Sequence, residues 1–428
     1  MNIALDGQSL SFMGGMERSV CALASAMAER GHKVFLFTSD APSTKPIFYL
    51  SPKVCRLSYD HNGRRSHMAR FRQQILSCTP QVCISFAGDR RHLPWCAALQ
   101  GTGIPFIISE QCSPEAVETI FWNRPERLAV MAVADYIHML RPTCLDSLPP
   151  ESRAKAHVIP NAVSMPDYSL AHKKGDLIVA LGRLEKDKQY GMLVEAFALL
   201  THDFPSWKLE IWGEGSQHAS LRRSIVQAKL EDRVRLCGLT EHPERCYARA
   251  SIVCHPSRHE GLPGVVLEAM AAGLPVVGFA QCSGVNDLVQ DGQIGLLAPE
   301  MTPQSLAATL RQLMSNAHLR QYMGAEALER AKVYSADTVY TQWEKLLTKA
   351  AAKGGHTCLQ AWETALSAAN TDDNGALFPH YQILQTSLNR PNFLVPRGQL
   401  LKLLIFQFPW LMRLVRPFYT WCKNLRSL

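Results

Sequence analysis

Short, unbroken apolar runs recur along most of this chain: HKVFLFTSD, QVCISF and PFIISE early on, then LIVALGRL, SIVCHPS and LPVVGF. A strand without a polar face has nothing to offer water, so both of its sides must be covered. The segments between these runs, among them MERSVCALASAMAERG, YGMLVEAFALLTHDFP and HASLRRSIVQAKL, carry apolar residues at helical spacing. Doubly covered strands alternating with helices leave one class of architecture, parallel sheets with helices on either face.

The alternation occurs twice. In the first half NIALD is a strand, QSLSFMGG a loop, and the helix after it ends at Gly31. HKVFLFTSD, QVCISF and PFIISE are further strands, with ARFRQQILS and RHLPWCAALQGTG as helices among them. Cys112 to Arg153 is less regular, and AHVIPNAV is a strand ending at Pro160–Asn161, before a polar linker that runs to Asp176. In the second half LIVALGRL, WKLEIWGEG, RVRLCG, SIVCHPS, LPVVGF and IGLLAP are strands, and HPERCYARA and GVVLEAMAAG are among the helices. The expected fold is α/β. Residues 1–165 and 166–335 form two doubly wound, Rossmann-like domains facing a central cleft, 336–352 a terminal helix crossing back towards the first domain, and 353–428 a C-terminal helical extension. Ligands of such sheets bind beyond the carboxyl ends of the strands.

Composition narrows the classes of function. With 428 residues, 47% hydrophobic and 19% charged, the chain can fill two domain cores and an appendage. The start, MNIALDGQSL, has no basic region ahead of a long apolar run, so no secretory leader is expected. No apolar run reaches the roughly 18 residues of a membrane-crossing helix. The 13 cysteines are scattered without a CxxC pair, which points away from zinc or disulfide frameworks and towards a reduced cytoplasmic setting. The net charge of +8 suits phosphate-bearing ligands or an anionic membrane surface and does not choose between them.

Four segments are candidates for chemistry. In SFMGGMER, Gly14 and Gly15 end a loop and open a helix. Paired glycines let backbone approach a ligand and a helix start favours an anion, although a tight turn explains them equally well. The pattern is not GxGxxG, so the dinucleotide fingerprint is lacking. In LGRLEKDK, Arg183 and Lys188 follow a strand; an Arg fork and a Lys point charge suit a diphosphate, and a solvated charged loop is the plainer reading. WGEGS sets Gly213 and Gly215 around Glu214, as a phosphate-facing loop or an ordinary turn. In HPSRHEGLPGVVLEAMAAGLPVV, Glu260 precedes a Gly/Pro turn and Glu268 lies inside the helix that follows. A carboxylate accepts two hydroxyl hydrogen bonds at once, as a sugar diol requires. Glu268 sits among apolar residues, where an unpaired carboxylate is costly, so a ligand or a partner is expected for it.

The stretch RHEGLPGVVLEAMAAGLPVV closely resembles the Glu-x7-Glu signature of retaining glycosyltransferases with the GT-B fold, specifically glycosyltransferase family 4. GGMER, VIPNAV, LGRLEKDK, IWGEGS and SGVNDLVQDGQIGLLAP resemble further segments of that family in the same order, over roughly residues 1–350. The resemblance implies a nucleotide-sugar donor, UDP-linked by family analogy, and no metal; Asp-x-Asp does not occur in the chain. It implies that Arg183 and Lys188 bind the donor diphosphate and stabilise it as it leaves, that Glu268 holds the ribose hydroxyls, and that Glu260 contacts the transferred sugar near its reacting end. Gly261 and Leu262 would offer amides to sugar hydroxyls, and Gly264 and Val265 would face phosphate. Gly14 and Gly15 would let the first domain approach the phosphates, Met16 and Glu17 would lie on the acceptor side, and Gly238 and Leu239 near the base. The implied reaction moves a hexose or N-acetylhexosamine to a growing, lipid-linked glycan in surface polysaccharide or lipopolysaccharide biosynthesis. Retention would follow by same-face attack, with double displacement as the alternative.

Two other classes are weighed against this. A non-catalytic sugar-nucleotide-binding scaffold of the same fold would not need Arg183, Lys188, Glu260 and Glu268 intact, and a nicotinamide-dependent oxidoreductase would need the missing glycine fingerprint. One departure from the resemblance matters. Many members place a histidine after the strand corresponding to PFIIS, where this chain has Ser109, Glu110 and Gln111. Glu110 is then a candidate for a sugar-facing role or for acting on the acceptor hydroxyl. His92 and His138 are further candidates, with an ordinary surface or helix histidine as the plainer reading of each.

Residues 396–428 interleave basic and aromatic side chains and carry no acid. Short amphipathic pieces of this kind suit an anionic membrane face, or a helix packed back on the first domain. The expected location is the cytoplasm, peripheral at the inner face of the cytoplasmic membrane, and nucleic acid is not an expected partner.

Overall fold

A computed structural model of the chain describes residues 1–11, 14–59, 65–86, 92–118, 124–165 and 175–355. Two all-parallel sheets organise them. The first holds β1 (Asn2–Gln8), β2 (Lys33–Thr38), β3 (Cys55–Ser58), β4 (Val82–Phe86), β5 (Phe106–Ser109), β6 (Tyr136–Met139) and β7 (Ala156–Val158) in the order β3-β2-β1-β4-β5-β6-β7. Its helices are α1 (Gly15–Glu29), α2 (Arg65–Ser77), α3 (His92–Leu99), the one-turn α4 (Pro114–Ala116), α5 (Arg124–Val133) and α6 (Pro150–Arg153). The second sheet holds β8 (Leu177–Leu181), β9 (Lys208–Trp212), β10 (Val234–Gly238), β11 (Ile252–Cys254), β12 (Val276–Phe279) and β13 (Gly295–Ala298) in the order β10-β9-β8-β11-β12-β13. Its helices are α7 (Tyr190–Ala198), α8 (His218–Gln227), α9 (Pro243–Arg249), α10 (Gly264–Ala271), α11 (Ser283–Val289), α12 (Pro303–Ser315) and α13 (Ala317–Ala331).

The unbroken apolar runs are explained by what covers them. Ile3, Leu5, Val34 and Leu36 enter one cluster, while Ala4, Phe35 and Phe37 enter a second cluster. In the second sheet Ile178 and Ala180 of β8 join one core, and Leu177, Val179 and Leu181 another. Alternate side chains of one strand therefore feed separate apolar layers, and neither face is left for water. The strand order reverses between β1 and β4 in one sheet and between β8 and β11 in the other. The loops leaving those strands diverge, and each pair opens a crevice at the carboxyl edge.

The last described helix, α14 (Ala336–Lys353), belongs spatially to the first sheet. Ser335 caps it by accepting from the Thr338 amide. Val339, Trp343, Leu346, Leu347 and Ala350 join the cluster of Ile3, Leu5, Val20 and Leu23. The Trp343 ring lies 4.4 Å from that of His138 and 6.0 Å from that of Phe86, centroid to centroid.

Some elements escape the apolar pattern. In β3, a sheet-edge strand, CRLS has no buried residue and thus no continuous apolar signal. In β6, YIHM is interrupted by a polar residue that is nonetheless buried, and the stretch called irregular also contains α5. The strand expected over AHVIPNAV stops at Val158, ahead of Pro160, which has no amide to donate. α11 forms from SGVNDLV, whose Gly, Asn and Asp are weak helix formers. The basic, aromatic stretch 396–428, and with it the membrane-facing expectation, lies outside the described residues. Among the described residues no helix is long and apolar enough to cross a membrane.

Trp343 is 4% exposed, and truncating a buried tryptophan costs about 3–5 kcal/mol. Trp343→Ala is expected to lower stability by that amount and to loosen the first sheet although the residue lies at the far end of the sequence. Hydrogen exchange of β1 and β4 amides checks this, and unchanged protection there counts against α14 as part of that core.

Candidate functional site

The crevice of the second sheet is built by two loops. One follows β8 and carries Gly182, Arg183 and a short 3-10 turn over Lys186–Lys188; the other follows β11 and carries His255 to Pro263. They are tied together through Asp187, whose carbonyl accepts from the Arg258 amide at 2.8 Å and lies 3.4 Å from the Ser257 hydroxyl. That tie sets Lys188 against Glu260. The Lys188 Nζ donates to Glu260 Oε1 at 2.5 Å, and His255 Nε2 meets the same oxygen at 2.7 Å. Among the described residues no donor reaches Oε2. Burial alone would raise the Glu260 pKa, but the Lys188 charge and the His255 hydrogen bond hold it well below the usual carboxylate range. Arg183 is exposed, and among the described residues no acid pairs with it.

The loop after β9 stacks directly on the loop after β8. Gly213 has φ +140°, and a Cβ there would lie 1.9 Å from the Gly182 carbonyl oxygen, so only glycine fits. Gly182 and Leu184 donate their amides to the Trp212 and Glu214 carbonyls at 3.0 and 2.9 Å. Gly238, at the end of β10, accepts from the Gly213 amide at 2.8 Å, and Leu239 beside it is 55% exposed.

The second carboxylate, Glu268, lies on α10 with its side chain 12% exposed. The structure gives it partners on both oxygens: Arg18 of α1 pairs with Oε1, and the Tyr247 hydroxyl donates to Oε2 at 2.6 Å. Arg18 comes from the first sheet's domain, so this ion pair crosses between the two bodies. The backbones also meet there. A Cβ on Gly261 would lie 2.3 Å from the Gln111 carbonyl oxygen of the first domain; within the second domain, one on Gly284 of α11 would lie 2.6 Å from the Glu260 carbonyl oxygen. A third crossing joins Arg141 to Asp287, with Arg141 also donating to Ser283 Oγ at 3.2 Å. The carboxyl edges of the two sheets thus face each other across the loop that bears Glu260.

Two adjoining family models match this chain: Glycosyltransferase Family 4 over residues 13–165 and Glycosyl transferases group 1 over residues 166–330. The chain belongs to the group 1, family 4 glycosyltransferases. This glycosyltransferase is 37% identical over 192 residues to an exopolysaccharide phosphotransferase of Streptomyces coelicolor, covering 45% of this chain and 20% of that one. It is 24% identical over 354 residues to the GalNAc-alpha-(1->4)-GalNAc-alpha-(1->3)-diNAcBac-PP-undecaprenol alpha-1,4-N-acetyl-D-galactosaminyltransferase of Campylobacter jejuni, covering 78% of this chain and 95% of that one. The matched part spans between a fifth and about a half of the length of the first curated relatives. The crystal structure of Anabaena HepE in complex with UDP and glucose has the same fold, with a TM-score of 0.67 at 17% identity over 82% of this chain and 100% of that one. The fold is GT-B: two Rossmann-like α/β domains.

Within this glycosyltransferase the residues named from sequence fall into three groups. Arg183, Lys188, Glu260, Gly261 and Leu262 lie on the two loops of one crevice, and Gly264, Val265 and Glu268 on the helix that follows. Gly14 caps α1 and Gly15 opens it, while Met16, Glu17 and Arg18 form its first turn, the one that reaches Glu268. Glu110, His92 and His138 belong elsewhere. Glu110 is 3% exposed, and both its oxygens accept from Arg127, from Nε and Nη2 at 2.7 Å each. Arg127 also donates to Glu118 at 3.0 Å and Ser147 at 2.9 Å. A carboxylate so occupied is a structural anchor, which corrects the expectation that it faces sugar or acceptor. His138 is neither a surface nor a helix histidine. It is buried on β6, with Nδ1 2.8 Å from Ser109 Oγ and Nε2 2.7 Å from the Ile159 carbonyl. His92 is likewise buried, 2.9 Å from Ser85, which donates to Asp6. The reading from sequence assigned no role to Arg18, Tyr247 or His255. The signal for Arg18 was its place one turn beyond Gly14–Gly15; for His255 it was a polar residue ending an otherwise apolar strand.

Two measurements check these assignments. Breaking a buried ion pair from one side costs about 3–5 kcal/mol, so Arg127→Met is expected to lower the urea midpoint accordingly; a change within error would mean Glu110 does not depend on that cation. Burial presses the His138 pKa down from 6.5 to about 4. The unfolded chain therefore takes up a proton that the folded chain refuses, and stability falls as pH drops from about 6.5, by about 3 kcal/mol at pH 4. His138→Gln should flatten that part of a stability–pH profile.

Proposed function

We propose that this chain transfers a hexose or N-acetylhexosamine from a UDP-linked donor to a growing, lipid-linked glycan with retention of configuration, in surface polysaccharide or lipopolysaccharide synthesis. The convergence of Arg183, Lys188 and Glu260 at the β8/β11 switch point carries the reading. Arg183 has no acid in ion-pair distance among the described residues, and Lys188 is held at close range by one Glu260 oxygen, with Asp187 Oδ2 more loosely at 3.7 Å. A diphosphate offers both more charge than the Glu260 oxygen does.

In this reading Arg183 and Lys188 bind the diphosphate and meet the charge that develops as the anomeric C–O bond breaks. Glu268 exchanges Arg18 and Tyr247 for the ribose diol. Glu260 keeps Oε1 anchored within the loop and presents Oε2 to the sugar. Same-face attack is the proposed course, with double displacement through an enzyme nucleophile as the alternative. The acceptor oxygen then bonds to the anomeric carbon, and its proton passes to the leaving phosphate oxygen. No metal is assigned. The activity named for the Campylobacter relative and the ligands of the HepE complex support a lipid-diphosphate acceptor and a UDP donor respectively. Residues 396–428 are proposed to meet an anionic membrane face, which would bring the enzyme to such an acceptor at the inner side of the cytoplasmic membrane.

UDP release from a panel of nucleotide sugars tests the reading. Removing one group that meets developing charge costs about 10²–10³ in turnover, so Lys188→Ala and Glu260→Gln are each expected to lose at least that much. Glu268→Gln should weaken UDP binding. Turnover that survives both Lys188→Ala and Glu260→Gln sinks the site assignment.

A further inference from the structure

His255 directly follows β11, and its backbone amide is fixed to the Val277 carbonyl at 2.8 Å. The residue is 3% exposed. Its Nε2 meets Glu260 Oε1, while its Nδ1 is buried with no hydrogen-bond partner among the described residues. Packing does not explain such a ring, since an apolar side chain would fill the space without baring a nitrogen. The unpartnered Nδ1 fixes the tautomer: the proton sits on Nε2, which therefore donates to Glu260.

The two donors on Oε1 differ in kind. Lys188 is a point charge on a flexible stem, 12% exposed, with Asp187 Oδ2 also within 3.7 Å of its Nζ. The imidazole is rigid and walled in. When a diphosphate enters, the ammonium is drawn towards it and its bond to Glu260 weakens. The imidazole, on a short stem and walled in, cannot follow the phosphate and stays.

We propose that His255 is the positioning residue for Glu260: it holds Oε1 while Lys188 turns to the leaving diphosphate, so that Oε2 remains aimed at the sugar through the transfer. This rests on the reading of Lys188 and Glu260 given above. It assigns Lys188–Glu260 as a resting contact and His255–Glu260 as the working one.

The test is UDP release from UDP-glucose or UDP-N-acetylglucosamine, whichever the wild type turns over, with UDP affinity measured by calorimetry. His255→Leu removes the donor, and His255→Gln places an amide nitrogen at similar reach. The expected result is a kcat loss of about 10- to 100-fold for His255→Leu, since a small misplacement of a reacting group costs that much. UDP affinity should stay within about threefold, and His255→Gln should recover most of the rate. In a Glu260→Gln background His255→Leu should cost nothing further, whereas a merely structural role would add its cost in either background. Wild-type kcat in His255→Leu overturns the proposal, as does equal loss in the Leu and Gln variants at unchanged melting temperature. If His255→Leu does not fold, His255→Gln decides alone: near-wild-type kcat supports the role, and loss with the fold intact overturns it. Should Glu260→Gln itself keep full turnover, the reading of Glu260 fails first and this inference with it. Loss in Glu260→Gln beside an indifferent His255→Leu overturns only the inference.

Discussion

The site depends on backbone running against backbone. Gly213 lies on the Gly182 carbonyl, Gly284 on the turn at Glu260, and Gly261 on the Gln111 carbonyl of the opposite domain. None of these contacts leaves room for a Cβ. Four loops and a helix start are thereby held in close register, and the charged groups inherit that precision. Long side chains such as Arg and Lys lose much conformational freedom when held in one place. Fixing their backbones first leaves only the side-chain share to be overcome.

The two domains meet through charge and contact together. Arg18 reaches Glu268 on one side of the Glu260 turn, and Arg141 reaches Asp287 on the other. Arg141 is almost wholly buried, with a side chain 3% exposed, whereas Arg18 is 48% exposed. A cation half in water is replaced by solvent or ligand more readily than one that is enclosed. The crossing at Arg18 is thus the yielding one and the crossing at Arg141 the firm one. This asymmetry places easy opening on the side where Glu268 is needed for a ligand.

Much of this was legible in the sequence because it rests on local chemistry. Unbroken apolar runs announced parallel strands, and Glu260 and Glu268 announced a turn followed by a helix. The illegible parts were decided at a distance. Glu110 seemed available because nothing in the sequence around it reveals Arg127 folded against it from α5. His138 broke an apolar run and so hid β6, although Ser109 and the Ile159 carbonyl satisfy both its nitrogens. Glu268 was expected to need a partner, but that the partner is Arg18, 250 positions away, follows only from the apposition of two sheets. CRLS of β3 carried no strand signal because an edge strand is not obliged to be apolar.

The course of α14 also orders events in time. The first sheet is complete once β7 has been made, yet one side of its core still lacks Val339, Trp343, Leu346 and Leu347. A chain emerging from the ribosome therefore carries an open apolar flank on its first domain throughout synthesis of the second. The second domain, whose strands and helices lie within one continuous stretch, can close before the first one does. The order of completion is the reverse of the order of translation, and the nascent first domain is the part that needs protection from aggregation.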